Sequence, residues 1–389
     1  MRVLLQGRSA RSIAVSPGGD QVQIEATADA LRSMDVDAQI SSEAAPDLAR
    51  FDAVHLFGLV RPQETWVQAR NASRQGKPVI LSTVYCDVWE FERVARTGPV
   101  GWIARHSNRD VVEALKASGR GLNSREWSRG STALFVKGFS RMQRELIAMS
   151  SSLLPNSRSE WLRIARDLGF ASLDSRVVVV PNGFDAEASS SMISEGSVPD
   201  RLAPFRDCIL CIARIEGRKN QLNLIEAVRG TDMTLVLGGP STANQRRYVQ
   251  RVKEAAAANG NVHMVGEVTA QEKAWLYRIA SVHALPSWME TTGLSSLEAA
   301  MAGCALVVSP NGDTRDYFGD DVEYCAPGDP SSIRDALVSA SKRGPSASLK
   351  RRIRTQYTWE RAAEVTYDAY RDVVTRAKDS RAGATGGCY

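Results

Sequence analysis

The chain has 389 residues, 43% hydrophobic and 24% charged, with a formal net charge of +5. That length suits two domains with separate cores, and the balance is that of a soluble globular protein rather than a disordered or fibrous one. The chain has no apolar run of about eighteen residues, and the start M-R-V-L-L-Q-G-R-S is charged too early for a secretion signal, so a cytoplasmic protein is expected.

In chain order, V-L-L-Q-G (3–7), D-A-V-H-L-F (52–57) and P-V-I-L-S-T-V (78–84) are short apolar runs that predict strands. Helical patterns from about Asp20 to Met34 and through Q-E-T-W-V-Q-A-R separate them. The turn V-S-P-G-G-D-Q-V-Q (15–23) joins the first strand to the first helix, and Gly18 and Gly19 would let a ligand approach its backbone closely. It is not a dinucleotide fingerprint: neither G-x-G-x-x-G nor G-x-x-x-x-G-K-[ST] occurs, which counts against NAD enzymes and P-loop nucleotidases. The D-x-D at Asp35–Asp37 lies between a helix and a strand and reads as a solvated turn rather than a metal site.

From Arg93 to Glu145 the rhythm breaks. Eleven basic residues stand against four acidic, a local balance of +7 that exceeds that of the whole chain. Trp102, Ile103, Trp127, Leu134, Phe135, Val136 and Phe139 are interleaved with the cations. Such a mixture suits an anionic partner such as a membrane surface, or else a solvated helical face with its apolar side packed inward. The strand–helix alternation resumes with S-L-L-P (152–155), a helix through E-W-L-R-I-A-R-D-L, and R-V-V-V-V-P (176–181). The Ser-rich A-S-S-S-M-I-S-E-G-S-V-P-D (188–200) reads as a linker.

Beyond it the alternation restarts with C-I-L-C-I-A (208–213), M-T-L-V-L-G-G (233–239), N-V-H-M-V-G (261–266), V-H-A-L-P (282–286) and C-A-L-V-V-S (304–309). Continuous apolar strands interleaved with helices predict parallel sheets covered on both faces, hence two Rossmann-like domains in series. Ligands of such sheets sit beyond the carboxyl ends of the strands, and two facing domains make the space between them the expected site. Cys208 and Cys211 lie inside an apolar strand and read as core, and the four histidines are scattered, so no metal cluster is expected.

Two stretches carry chemistry. R-I-E-G-R-K (214–219) follows a strand and offers Arg214 as a planar fork and Lys219 as a mobile point charge, both suited to a diphosphate. In M-E-T-T-G-L-S-S-L-E-A-A-M-A-G, Glu290 and Glu298 are eight positions apart across Gly293. On one continuous helix they would be about 12 Å apart and rotated by roughly 80°, poor geometry for the paired acids of a glycosidase. A strand feeding a helix through a polar turn instead presents free N–H groups and the positive end of the helix dipole to an anion.

Taken in order, the glycine turn P-G-G-D-Q-V-Q, L-P-N-S-R-S-E with V-V-V-V-P-N-G-F-D, A-R-I-E-G-R-K-N, L-V-L-G-G-P and the E-x7-E element resemble the retaining GT-B glycosyltransferases of family 4 over nearly the whole chain. The resemblance implies α/β architecture of the GT-B type and a nucleotide-sugar donor bound mainly by the second domain. Arg214 and Lys219 would hold the diphosphate, the amides around Thr292, Gly293 and Leu294 its distal phosphate and part of the sugar, Glu290 sugar hydroxyls and Glu298 the ribose. Gly19 would close over the phosphates, and Gly266 and Glu267 would border the base. It further implies retention of configuration with no protein nucleophile, and a saccharide or lipid-linked acceptor in cell-surface polysaccharide or glycolipid synthesis. No cofactor or metal is expected. Many relatives carry a histidine after the strand equivalent to P-V-I-L-S-T-V. Here V-Y-C-D-V-W-E leaves Tyr85 and Asp87 as candidates for donor or acceptor contact.

The expected layout is a first domain over 1–187 with the basic insertion at about 93–145, a linker over 188–205, and a second domain over 206–357. A helix over 358–378 would return to the first domain, and 379–389 would be disordered. Two readings compete: a GT-B phosphorylase or nucleotide-sugar epimerase, and a non-catalytic anion-binding module. Nucleic acid is not expected as a partner, because the aromatics of the basic segment lack the paired-strand setting of stacking platforms.

Overall fold

A computed structural model describes residues 1–8, 19–96, 98–124, 129–185, 199–241 and 245–385. The chain divides into two units, one of residues 1–85, 103–183 and 359 onward, the other of residues 86–102 and 184–358.

The first unit is built on β1 (Arg2–Gln6), β2 (Asp37–Ser41), β3 (Ala53–Phe57), β4 (Val79–Ser82) and β5 (Ser152–Leu154), in the order β2-β1-β3-β4-β5. Every neighbouring pair is parallel. Successive side chains of a strand point to opposite faces, so Val3 and Leu5 enter one core and Leu4 the other. Helices cover both faces, which is why β1, β3 and β4 are buried along most of their length and read as apolar runs rather than alternating ones, unlike the edge strand β2. The helices of this unit begin with α1 (Gly19–Arg32) and α2 (Pro62–Arg74).

The basic segment is helical: α3 (Trp89–Val94), α4 (Pro99–His106), α5 (Arg109–Ser124), α6 (Arg129–Lys137) and α7 (Phe139–Met149). Its apolar residues divide. Leu134 and Phe139 are buried, whereas Trp102, Phe135 and Val136 are 60%, 46% and 84% exposed, so part of the set is core and part is surface. Trp127 and the side chains of Arg120, Arg125 and Arg129 lie outside the described residues.

At α8 (Arg158–Leu168) the sequence supplies its own cap: Ser157 Oγ accepts from the Glu160 N–H at 2.8 Å. Glu160 is fully buried; its carboxylate accepts from the Tyr85 N–H at 2.7 Å, the Asn156 N–H at 2.8 Å and the Thr83 hydroxyl. It thereby ties the ends of β4 and β5 together. R-V-V-V-V-P, expected as a strand, runs beside β5 with a single bridge at Val177 and bonds from the Val178 and Val180 N–H groups. It stays an isolated bridge rather than a strand of the sheet.

In the second unit β6 (Ile209–Ile212), β7 (Leu235–Gly238), β8 (Val262–Gly266), β9 (Val282–Leu285), β10 (Ala305–Val308) and β11 (Glu323–Tyr324) form a parallel sheet in the order β11-β10-β9-β6-β7-β8. Covering helices are α9 (Gln221–Val228), α10 (Arg246–Ala257), α11 (Ala270–Ile279), α12 (Leu294–Ala302), α13 (Thr314–Phe318), α14 (Pro330–Arg343) and α15 (Ala347–Gln356). After β6 the chain builds outward through β7 and β8, then returns to place β9 on the other side of β6. The strand order therefore reverses between β6 and β9, and a crevice opens at such a switch point beyond the carboxyl ends of the strands.

The last helix, α16 (Trp359–Thr385), packs in the first unit, where the Tyr370 hydroxyl lies 2.6 Å from His55 Nδ1. The tail expected to be disordered from 379 is helical as far as Thr385. No helix among the described residues is long and apolar enough to cross a membrane.

Candidate active site

The two strands that flank the switch point each lead into one of the motifs singled out above. After β6, R-I-E-G-R-K ends in a 3-10 turn at Gly217–Lys219. Asn220 then takes a left-handed conformation, φ 64°, which asparagine tolerates better than most residues. Its amide donates to the Pro286 carbonyl at 3.0 Å and the Pro327 carbonyl at 2.7 Å, fastening this loop to the end of β9. The Trp288 N–H donates to the Arg218 carbonyl at 2.9 Å from the other side.

After β9 the chain passes through Glu290, which forms a parallel bridge with Gly312. The Glu290 N–H donates to Asn311 O at 3.1 Å, and Glu290 O accepts from the Asp313 N–H at 3.0 Å. Gly312 has φ 103°, and a Cβ there would stand 1.8 Å from Glu290 O, so only glycine admits this approach. Gly293, with φ 72°, is the N-cap of α12; its carbonyl accepts from the Ser296 N–H at 2.7 Å and the Leu297 N–H at 3.1 Å, so the helix-start N–H groups without an acceptor in the helix are those of Leu294 and Ser295.

The Glu290 carboxylate is buried and accepts from Lys219 Nζ at 2.5 Å and Ser287 Oγ at 3.1 Å, with Arg218 Nη1 at 3.4 Å. Burial alone would raise its pKa, but Lys219 and Arg218 outweigh that and hold it at about 2. Arg218 also donates to Met289 O at 2.8 Å and to Glu216 Oε1 at 3.1 Å, and Glu216 in turn pairs with Arg214 at 3.3 Å. Burial works against the Arg218 charge, and Cys86, Glu290 and Glu216 more than offset it, so the guanidinium is firmly protonated.

Glu298 belongs to a separate cluster on α12: it accepts from Lys273 Nζ at 2.7 Å and the Tyr277 hydroxyl at 3.0 Å. Beneath α12, His283 on β9 is fully buried; desolvation lowers its pKa to about 3, so it is neutral. Thr292 is buried and its hydroxyl donates to the Tyr317 hydroxyl at 3.3 Å. Gly266 closes β8 with φ 74° and its carbonyl accepts from the Gly239 N–H at 2.7 Å, while Glu267 is exposed.

Arg214, Lys219, Glu290, Thr292, Gly293 and Leu294 thus come together on the loops beyond β6 and β9, with Glu298 further along α12. Gly19 opens α1 in the first unit, and Gly18 lies outside the described residues. Tyr85 is placed otherwise than the sequence suggested. Its ring is fully buried and its hydroxyl lies 3.0 Å from Asp167 and 2.8 Å from Arg109, so it packs in the core of the first unit. Asp87 accepts from the Trp89 N–H at 3.0 Å, one residue ahead of Val88, the N-cap of α3.

Sequence reasoning missed Arg218 and Glu216. The signal was the alternation itself: a carboxylate set between two arginines in a loop with few apolar residues demands pairing once buried. Cys208 and Cys211 are free and buried, their thiols pushed up to about 12 by desolvation. Among the described residues no group of three or more histidine, cysteine, aspartate or glutamate side chains could hold a metal ion.

Residues 203–357 match the family model of glycosyl transferases group 1. That stretch of the second unit is a domain of this family. Relatives of the group 1 domain and its flanking chain include D-inositol 3-phosphate glycosyltransferase of Salinispora tropica, 30% identical over 316 residues that span 72% of this chain and 62% of that one. The counterpart of the same description from Xylanimonas cellulosilytica is 27% identical over 251 residues, 60% of each chain. The chain therefore spans about three-fifths of the length of these relatives.

Among solved structures, sucrose-phosphate synthase of Thermosynechococcus elongatus aligns with a TM-score of 0.70 at 13% identity, covering 97% of this chain and 100% of that one. HepE of Anabaena, solved in complex with UDP, aligns with a TM-score of 0.57 at 15% identity over 100% of both chains. The group 1 domain sits within a chain of the GT-B fold.

Proposed function

We propose that the protein is a retaining glycosyltransferase that moves a sugar from a nucleoside-diphosphate donor to a polyol, saccharide or lipid-linked acceptor. The observation that carries this reading is the convergence of Lys219 and Arg218 on the buried Glu290 carboxylate, beside the N-terminus of α12 and at the strand-order reversal. In this reading Lys219 and Arg214 take the diphosphate, joined by the N–H groups at Gly293 and Leu294. Glu290 accepts from sugar hydroxyls and Glu298 from the ribose, with Gly266 and Glu267 near the base.

The charge that grows on the departing diphosphate meets fixed cations and a helix dipole already in place, the kind of preorganised stabilisation that lowers a barrier most. These groups can supply what a divalent metal would otherwise bring. The C1–O bond to the diphosphate breaks as the acceptor oxygen bonds C1 on the same face, and the acceptor proton passes to the leaving phosphate.

The relatives' description as D-inositol 3-phosphate glycosyltransferases favours a phosphorylated cyclitol among the acceptors to try, and HepE's UDP favours a uridine donor first. An acceptor held in an anionic membrane would be met by the exposed Phe135 and Val136 on α6 of the basic segment. Proton NMR of the sugar nucleotide with enzyme and acceptor, in excess EDTA, tests the mechanism. Release of nucleoside diphosphate with an α-linked product from an α-linked donor is expected. A β-linked product, or turnover restored only by added magnesium or manganese, would refute it.

A further inference from the structure

Arg218 follows the pattern of a strut rather than that of a ligand. Its side chain is only 18% exposed. One guanidinium nitrogen, Nη1, serves Met289 O at 2.8 Å and Glu290 Oε1 at 3.4 Å; the other, Nη2, serves Glu216 Oε1 at 3.1 Å. Cys86 Sγ lies 3.9 Å from Nη1 on a further side, and the ring of Phe91 stands 3.0 Å from where a Cβ on the neighbouring Gly217 would sit. The group is walled in by protein acceptors and apolar atoms. The Arg218 carbonyl also receives the Trp288 N–H at 2.9 Å, so main chain and side chain of one residue grip the Ser287–Glu290 turn at two points.

We infer that Arg218 is a positioning residue: it fixes the Glu290 carboxylate and the carbonyl before it, and so sets the part of the site that recognises the transferred sugar, while Arg214 and Lys219 recognise the diphosphate. The inference rests on the glycosyltransferase reading above. A planar fork with five donors can serve the Met289 carbonyl and two carboxylates at once, and a lysine ammonium at that position cannot span all three. Glu216 is the anchor that keeps the fork in register, since it accepts from Nη2 and also braces Arg214.

Calorimetry separates the roles. UDP, GDP and ADP are titrated into the full chain, followed by the glucose ester of whichever nucleotide binds. For Arg218→Lys, affinity for the nucleoside diphosphate is expected to stay within about threefold of wild type, while affinity for the sugar nucleotide falls tenfold or more. Arg214→Ala is expected to lower both alike. Should Arg218→Lys fail to fold, Arg218→Gln, which keeps a neutral donor for the Met289 carbonyl and leaves the Glu216–Arg214 pair in place, is expected to give the same split. Equal losses for nucleotide and sugar nucleotide would make Arg218 a phosphate ligand and overturn the inference, as would no change in either. If wild type binds none of the three nucleotides, it is the glycosyltransferase reading that falls, and the two failures are thereby distinguished.

Discussion

Gly312→Ala and Gly303→Ala form a matched pair that tests how Glu290 is held. Both glycines have nearly the same left-handed backbone, φ 103° and φ 104°. Around Gly303 nothing lies within 4 Å of an added Cβ, whereas at Gly312 the Cβ would stand 1.8 Å from Glu290 O, 2.8 Å from its carbonyl carbon and 3.1 Å from its nitrogen. The strain of φ alone costs about 1–2 kcal/mol and is shared by the two variants. At Gly312 the obstacle is backbone rather than a flexible side-chain end, so the Glu290 bridge must open, adding roughly 1–3 kcal/mol. Gly303→Ala should therefore lose about 1–2 kcal/mol and Gly312→Ala about 2–5 kcal/mol. Urea denaturation followed by tryptophan fluorescence measures both against wild type. Equal losses in the two variants would refute the claim that the Glu290–Gly312 contact is tight and structurally required.

In the first unit, His55 is fully buried between the Tyr370 hydroxyl at 2.6 Å and Ser82 Oγ at 2.8 Å, and desolvation lowers its pKa from 6.5 to about 3. Below about pH 6.5 the unfolded chain takes up a proton that the folded chain refuses, so stability falls with pH by about 1.4 kcal/mol per unit until near pH 3. His55→Phe should cost about 1–3 kcal/mol at pH 7 by stranding two hydroxyls, and its gap from wild type should narrow by about 2 kcal/mol at pH 5. A gap that is constant with pH, read from urea midpoints, would contradict a neutral buried imidazole. Glu298→Ala removes the acceptor of Lys273 and Tyr277 and, in the proposed site, a ribose contact. Nucleotide affinity should drop roughly tenfold to a hundredfold, and an unchanged calorimetric titration would remove Glu298 from the site.

Much of this fold is written in local pattern. Runs such as I-L-C-I and A-L-V-V are buried on both faces, and so announce a parallel sheet before any tertiary contact is known. R-V-V-V-V-P shows the limit, since an apolar run becomes a strand only when tertiary pairing takes it into a ladder, and here it makes a single bridge to β5. Likewise α16 outlasts the composition of its tail, because alanine and arginine favour helix while the glycines only weaken it. For the site, residue type and spacing located Lys219, Glu290 and Gly293, but pairing decided their roles. Tyr85 sat at the right position in the chain, and its direction, set by Glu160 holding its amide and by Arg109 and Asp167 at its hydroxyl, could not be read from spacing. Arg218 was overlooked because a loop arginine is normally solvated, and its burial depends on Met289 and Glu290, some seventy residues onward.

The central claim is that the loops beyond β6 and β9 bind a nucleoside diphosphate through Lys219. Calorimetric titration of UDP, GDP and ADP into wild type and Lys219→Ala tests it most directly. One nucleotide is expected to bind wild type, and its affinity for the variant to fall by roughly tenfold to a hundredfold, the loss of one charge-assisted contact. Binding of equal strength to both proteins, with the variant folded, would contradict the claim.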